Sequence, residues 1–184
     1  MTDKEEIIVD STMNFSEAIE GTNAPLEIID RLSMVDVCYY SFDGMRHQGQ
    51  IIINSELEAD VCDIFVLIKK LKFPVGKAIP IVAYNWQDHD SMAANNTSGF
   101  NFRVIEGTTK LSMHSLGKAV DINPVQNPVI YPNGIIVPQG AKYVPQNKGT
   151  LTADNTIVQE FLRRGWHWGG NFDQPKDNHH FEKP

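Results

Sequence analysis

Apolar positions along the chain alternate between helical and strand spacing, and the switches mark its elements. "PLEIIDRL" places Leu26, Ile29 and Leu32 at helical spacing behind a proline suited to a first turn. "VDVCYYSF" and "GQIIIN" flank the connector "DGMRH", which predicts a hairpin. Ser55 and Glu58 stand at capping-box spacing before "LEADVCDIFVLIKKLKF". There Val61, Ile64, Phe65, Ile68 and Leu71 line one helical face, Lys69, Lys70 and Lys72 suit the carboxyl end, and Pro74 stops the helix. "AIPIVAY" reads as a strand and "DHDSMAANNTSG" as a polar loop. "FNFRVI" alternates, with Phe100 and Phe102 on one face and Asn101 and Arg103 on the other. "DNTIVQEFLRR" predicts a second long helix, with Gly165 just past its end.

Between these elements, residues 123–149 are rich in Pro, Gly, Asn and Gln, and a loop that long in a compact domain is functional or mobile. Residues 1–24 read as a polar, irregular extension with a helical hint at Phe15 to Ile19. With no internal repeat and no linker, the order of elements predicts one α+β domain over residues 25–184, built on a central antiparallel sheet flanked by helices.

Composition narrows the function classes. A 184-residue chain is long enough to hold itself together without a disulfide or structural metal. The net charge of −7 and pI near 5.3 oppose nucleic acid as a partner, because phosphate binding needs clustered Lys and Arg. No apolar run reaches the roughly 18 residues of a membrane span. The start, "MTDKEEIIVD", lacks the basic and apolar segments of a secretory signal. Cys38 and Cys62, without CxxC spacing, read as two buried free thiols.

Chemistry concentrates in "LSMHSLGKAVDINP" and "DNHHFE". His47 and His89 read as exposed side chains in a connector and a polar loop, whereas His114 has a geometry around it. Gly117 allows a turn, and "AVDIN" then sends Val120 and Ile122 to one face and Ala119, Asp121 and Asn123 to the other. A polar strand face explains His114 and Asp121 alone about as well as a metal does. The tail adds a third donor. Zinc favours imidazole and carboxylate, and a catalytic site keeps three protein ligands and one open position. His114, Asp121 and one of His179 or His180 would supply that set, with Asp177 or Glu182 as a carboxylate to take a proton from water. On a regular strand His179 shares a face with Asp177, and His180 with Glu182, so alternation leaves the choice open.

"SMHSLGKAVDINP" resembles the Ser-x-His-x-x-Gly-x-Ala-x-Asp motif of the VanY-type D-alanyl-D-alanine carboxypeptidase family, and "DNHHFE" resembles its acid-x-x-His-Phe-Glu ending. "SMAANNTSGFNFR" and "GWHWGG" are similar to segments of one branch, so the resemblance spans roughly residues 26–182. These are zinc peptidases of peptidoglycan stem peptides that share a fold with the lysostaphin and hedgehog domains. The resemblance implies one zinc ion held by His114, Asp121 and His180, the histidine directly before Phe-Glu. It implies Asp177 as general base and Arg103 as the cation beside the reacting carbonyl. Ser112 and Trp168 are the candidate substrate-binding residues. If Asp177 and His180 both face the metal, the tail must turn or bulge between them.

The expected activity is D-alanyl-D-alanine carboxypeptidase, on stem peptides or muropeptides. The alternatives are an L-alanyl-D-glutamate endopeptidase of phage-lysin type and a non-catalytic zinc-containing binding module. A base at Asp177 speaks against the last. Such a substrate lies outside the cytoplasmic membrane, so a leader would have been removed or the protein released by lysis.

Overall fold

A computed structural model describes residues 6–105 and 107–184. In chain order, strand β1 (Ile7–Val9) and helices α1 (Phe15–Ala18) and α2 (Leu26–Ile29) precede a long hairpin of β2 (Leu32–Tyr40) and β3 (Arg46–Asn54). Helix α3 (Glu58–Lys70) follows, then β4 (Lys77–Ala78), α4 (Asp88–Ala93) and β5 (Asn96–Thr97). The C-terminal half carries β6 (Ala119–Asp121), β7 (Val129–Ile130), β8 (Ile136–Val137), α5 (Thr156–Arg163), β9 (His167–Trp168), β10 (Lys176–Asp177) and β11 (His180–Glu182).

The mixed α and β character agrees with the sequence, but the central flanked sheet does not appear. The described strands form three three-stranded sheets, ordered β1-β3-β2, β10-β7-β8 and β6-β11-β9, and the pair β4-β5. Only β2 and β3, each nine residues, are long. The others are interrupted by glycines, prolines and polar loops before a wide sheet can extend.

One core joins the two halves. Val61, Ile64, Phe65 and Ile68 of α3 pack with Val35 and Val37 of β2, Ile51 and Ile53 of β3, and Val120, Ile122, Phe161 and Phe181 from the C-terminal half. The rings of Phe161 and Phe181 stack with centroids 3.9 Å apart. Burying such a side chain contributes roughly 1.5–3 kcal/mol. This core seats β6 and β11, the strands that carry Asp121 and His180.

Several local expectations change. Leu32 opens β2 instead of ending a helix, which leaves α2 four residues long. Ser55 and Glu58 form no capping box; the Asn54 side chain accepts from Glu56 N at the turn that leads into α3. Of "AIPIVAY" only Ala78 is in a strand, as the end of β4. The Asn96 amide satisfies both backbone groups of Ile79, and Pro80 then starts a 3-10 turn. "FNFRVI" makes a single bridge, Val104 to Leu111, and the polar loop before it contains α4. The N-terminal segment is also less irregular than it reads. β1 pairs in parallel with β3, and Ala18 of α1 is buried against Leu32, Ile52 and Phe100. Cys38 and Cys62 are free and half-buried instead of fully buried.

His47 is buried, not exposed. Its Nδ1 lies 3.0 Å from Asp10 and its Nε2 3.0 Å from Asp43. Burial opposes its charge, but the two carboxylates outweigh that and raise its pKa.

Candidate metal centre

The sequence around His114 builds a tight turn. Ser112 caps a 3-10 turn over Met113–Leu116, its hydroxyl accepting from His114 N at 3.3 Å, and Gly117 ends it at φ +64°. A Cβ on Gly117 would lie 2.6 Å from Leu32 Cδ2 and 2.7 Å from Asn54 N, so only glycine fits here. The chain then enters β6. Asp121 is bonded through its backbone to Ser98 on one side and stands opposite His180 on the other.

Between Asp177 and His180 the tail leaves strand geometry. Asn178 and His179 form a turn, so β10 pairs with β7 while β11 pairs with β6 and β9. The turn is held by the Trp168 indole, which donates to Asn178 O at 2.9 Å, and by the Asn178 amide, which donates to Pro128 O. The tight approach at Asp177 needs Gly169, whose Cβ would fall 2.3 Å from Asp177 O.

The turn and the two strands bring His114, Asp121 and His180 into one buried cluster, with donor atoms all within 4.8 Å of one another. His114 Nε2 lies 3.1 Å from Asp121 Oδ2 and 3.2 Å from His180 Nδ1, and His180 Nδ1 lies 2.9 Å from Asp121 Oδ1. Each imidazole is oriented from behind. His114 Nδ1 donates to Gly99 O at 2.6 Å, and His180 Nε2 faces Glu182 Oε2 at 3.0 Å. Both remaining nitrogens therefore point at the same place. Carboxylate or carbonyl partners behind metal-binding histidines are the usual second layer of such sites. The donor set fits a single divalent ion.

The same contacts set the electrostatics of the cluster. Burial would raise the Asp121 pKa, yet His114 and His179 beside it hold the carboxyl well below its usual range. Burial would lower His180, but hydrogen bonds to Asp121 and Glu182 lift it to about 10. A metal held here would compete with the His180 proton for Asp121, because a ligating imidazole must be neutral.

His179 is not part of the trio. Its Nδ1 donates to Asn127 O at 2.7 Å, and its Nε2 sits 3.1 Å from Asp177 Oδ1 and 3.8 Å from Asp121 Oδ2. The Asp177 contact lacks hydrogen-bond geometry, which leaves that oxygen buried and unpartnered.

These groups open on a cleft of about 640 Å³, also lined by Arg103, Asp88, His89, Ser112, Tyr131 and Phe172. Arg103 reaches it from a backbone pinned by Ser115, whose hydroxyl accepts from Arg103 N and donates to Arg103 O. The guanidinium is paired with Asp88 at 2.9 Å. Ser112 is on the wall, although its hydroxyl serves the turn. Trp168 is not a cleft residue: it is 4% exposed, sits in the core and holds Asn178. Glu182 also lines the cleft, with its carboxylate engaged by His180 Nε2 behind the trio.

Gly99, Ser115, Asn127 and Asp88 are absent from the sequence reading. Gly99 had a usable signal, a glycine where the polar loop meets the alternating "FNFRVI" segment; the others act through partners distant in the chain.

Residues 106–183 match the family model described as D-alanyl-D-alanine carboxypeptidase. No curated protein and no solved structure matches the chain. Across residues 106–183, the segment that supplies all three candidate ligands and Asp177, the chain therefore matches the VanY-like family of D-alanyl-D-alanine carboxypeptidases.

Proposed function

We propose that the protein is a zinc-dependent peptidase of peptidoglycan stem peptides, most simply a D-alanyl-D-alanine carboxypeptidase. The convergence of His114 Nε2, Asp121 and His180 Nδ1 in one cleft with Asp177 carries this reading. His114, Asp121 and His180 hold the ion, and Gly99 O and Glu182 fix the two imidazoles so that one nitrogen of each faces it. When bound, zinc would polarise the scissile carbonyl and lower the pKa of the attacking water. Asp177 accepts the proton from that water and passes it to the leaving amine. Arg103 pairs with the carbonyl oxygen as it gains charge, and Asp88 keeps the guanidinium aimed.

Arg103 also supports a second reading. A carboxypeptidase must hold the free carboxylate of its substrate, whereas the Arg103 charge is already shared with Asp88. An L-alanyl-D-glutamate endopeptidase has no such terminus to hold. Digestion of purified muropeptides by the zinc-loaded protein, read by mass spectrometry, separates the two by the mass lost. Uncut muropeptides with a filled metal site would refute both. Asp177→Ala should lower turnover at least about 100-fold, the scale of a lost general base, with zinc content unchanged.

A further inference from the structure

The long Pro/Gly/Asn/Gln loop that the sequence marks as functional or mobile has two halves, and only the first builds the cleft. The second, with the β2–β3 turn and the end of α3, encloses another groove of about 520 Å³. Tyr40, Phe42 and Phe73 form its apolar surface, and Lys72 and Lys148 supply its charge. The wall carries Asn147, Thr150, Thr152 and Asn155.

Three features mark this groove as built. Lys72 occupies the left-handed position just past α3 at φ +50°, where glycine is sterically cheap, and its ammonium lies 5.3 Å from the Tyr40 ring centroid. Gly149, at φ +81°, lets the loop close on Phe42, since a Cβ there would fall 2.5 Å from Phe42 Cζ. Thr150 is 5% exposed, and its hydroxyl oxygen has no hydrogen-bond partner. The floor is rigid, because Asn123 donates to both Pro74 O and Gly149 O.

Among the described residues no acid lines the groove, in a chain of net charge −7. The neighbouring acids are engaged: Asp43 contacts His47, and Asp154 accepts from the Thr152 hydroxyl. Aromatic faces, amide and hydroxyl groups and two cations together match a ring that carries both hydroxyls and an anion.

We propose that the groove between Lys72 and Lys148 is a second binding site, separate from the metal centre, for an acidic saccharide. The sugar ring packs on the aromatic surface, and its carboxylate or phosphate lies by the lysines.

The test is a backbone NMR titration of the intact protein with D-glucuronate, glucose 6-phosphate and glucose at one ionic strength. At least one acidic sugar should shift resonances of Phe73, Lys148, Gly149 and Thr150, and should bind at least about fivefold tighter than glucose, or about 1 kcal/mol at 1.4 kcal/mol per tenfold. Preference for glucuronate identifies a carboxylate ligand, and preference for glucose 6-phosphate a phosphate. Lys72→Gly, which relaxes the backbone while removing the charge, and Lys148→Gln should each bring the acidic sugar down toward glucose. Equal binding of all three sugars, no shifts in the groove, or full affinity in both variants would overturn the proposal.

Discussion

At the scale of single residues, position 117 tests the turn that aims His114. An alanine there would adopt a left-handed backbone and also meet Asn54 N. Gly117→Ala should therefore lose more than about 2 kcal/mol in urea unfolding, since the backbone term alone is about 1–2 kcal/mol. Asp88 offers a kinetic test. If it aims Arg103, Asp88→Asn should lower kcat about tenfold and leave KM nearly unchanged, the signature of a contact made in the transition state. A change confined to KM would instead make the pair a ground-state binding device. At this scale the sequence was informative where chemistry follows local geometry: Gly117, Asp121 and the alternation of Val120 and Ile122 are legible within ten residues. The shared face of His180 and Glu182 was legible from alternation, but their contact was not, because it depends on how β11 pairs with β6. Trp168 was misplaced because an indole suits a cleft and a core equally, and only its neighbours decide.

At the scale of elements, β1 is held by more than its ladder. Asp10, directly after it, contacts both the Tyr39 hydroxyl and His47. The folded pKa of His47 is raised above 6.5, so its stabilising charge is complete below that pH and is lost as pH rises through the folded value. Amide-exchange protection of Ile8 and Asp10 should fall as pH rises above about 6.5, after correction for intrinsic exchange. In His47→Gln it should be lower at pH 6 and lose that dependence. The strand β11 is tied through Phe181, fully buried against Phe161. Phe181→Ala should cost about 3–5 kcal/mol, measured by thermal or denaturant unfolding. The long elements were readable from periodicity. The two- and three-residue strands were not, because pairing with distant segments creates them and no period can form over so few residues.

For the whole molecule, the ligands span the C-terminal half, so a bound ion joins β6 to the tail. Removing it with a chelator should lower Tm, and zinc should restore it. At an ion concentration 100 times Kd the stabilisation is about 2.7 kcal/mol. Asp121→Asn should weaken this response, and a wild-type Tm indifferent to chelator would count against the metal site. That long-range tie also shapes what the tandem histidines mean. His180 stands opposite Asp121, and Phe181 opposite Val120. A slip of one residue would place His179 across from Asp121, a frameshifted decoy with an imidazole in the correct place. The same slip would expel Phe181 from its stack with Phe161 and turn it into the polar face that holds Asp121. The aromatic next to the ligand thus acts as a reading-frame check on the strand, rejecting the wrong histidine before any ion arrives.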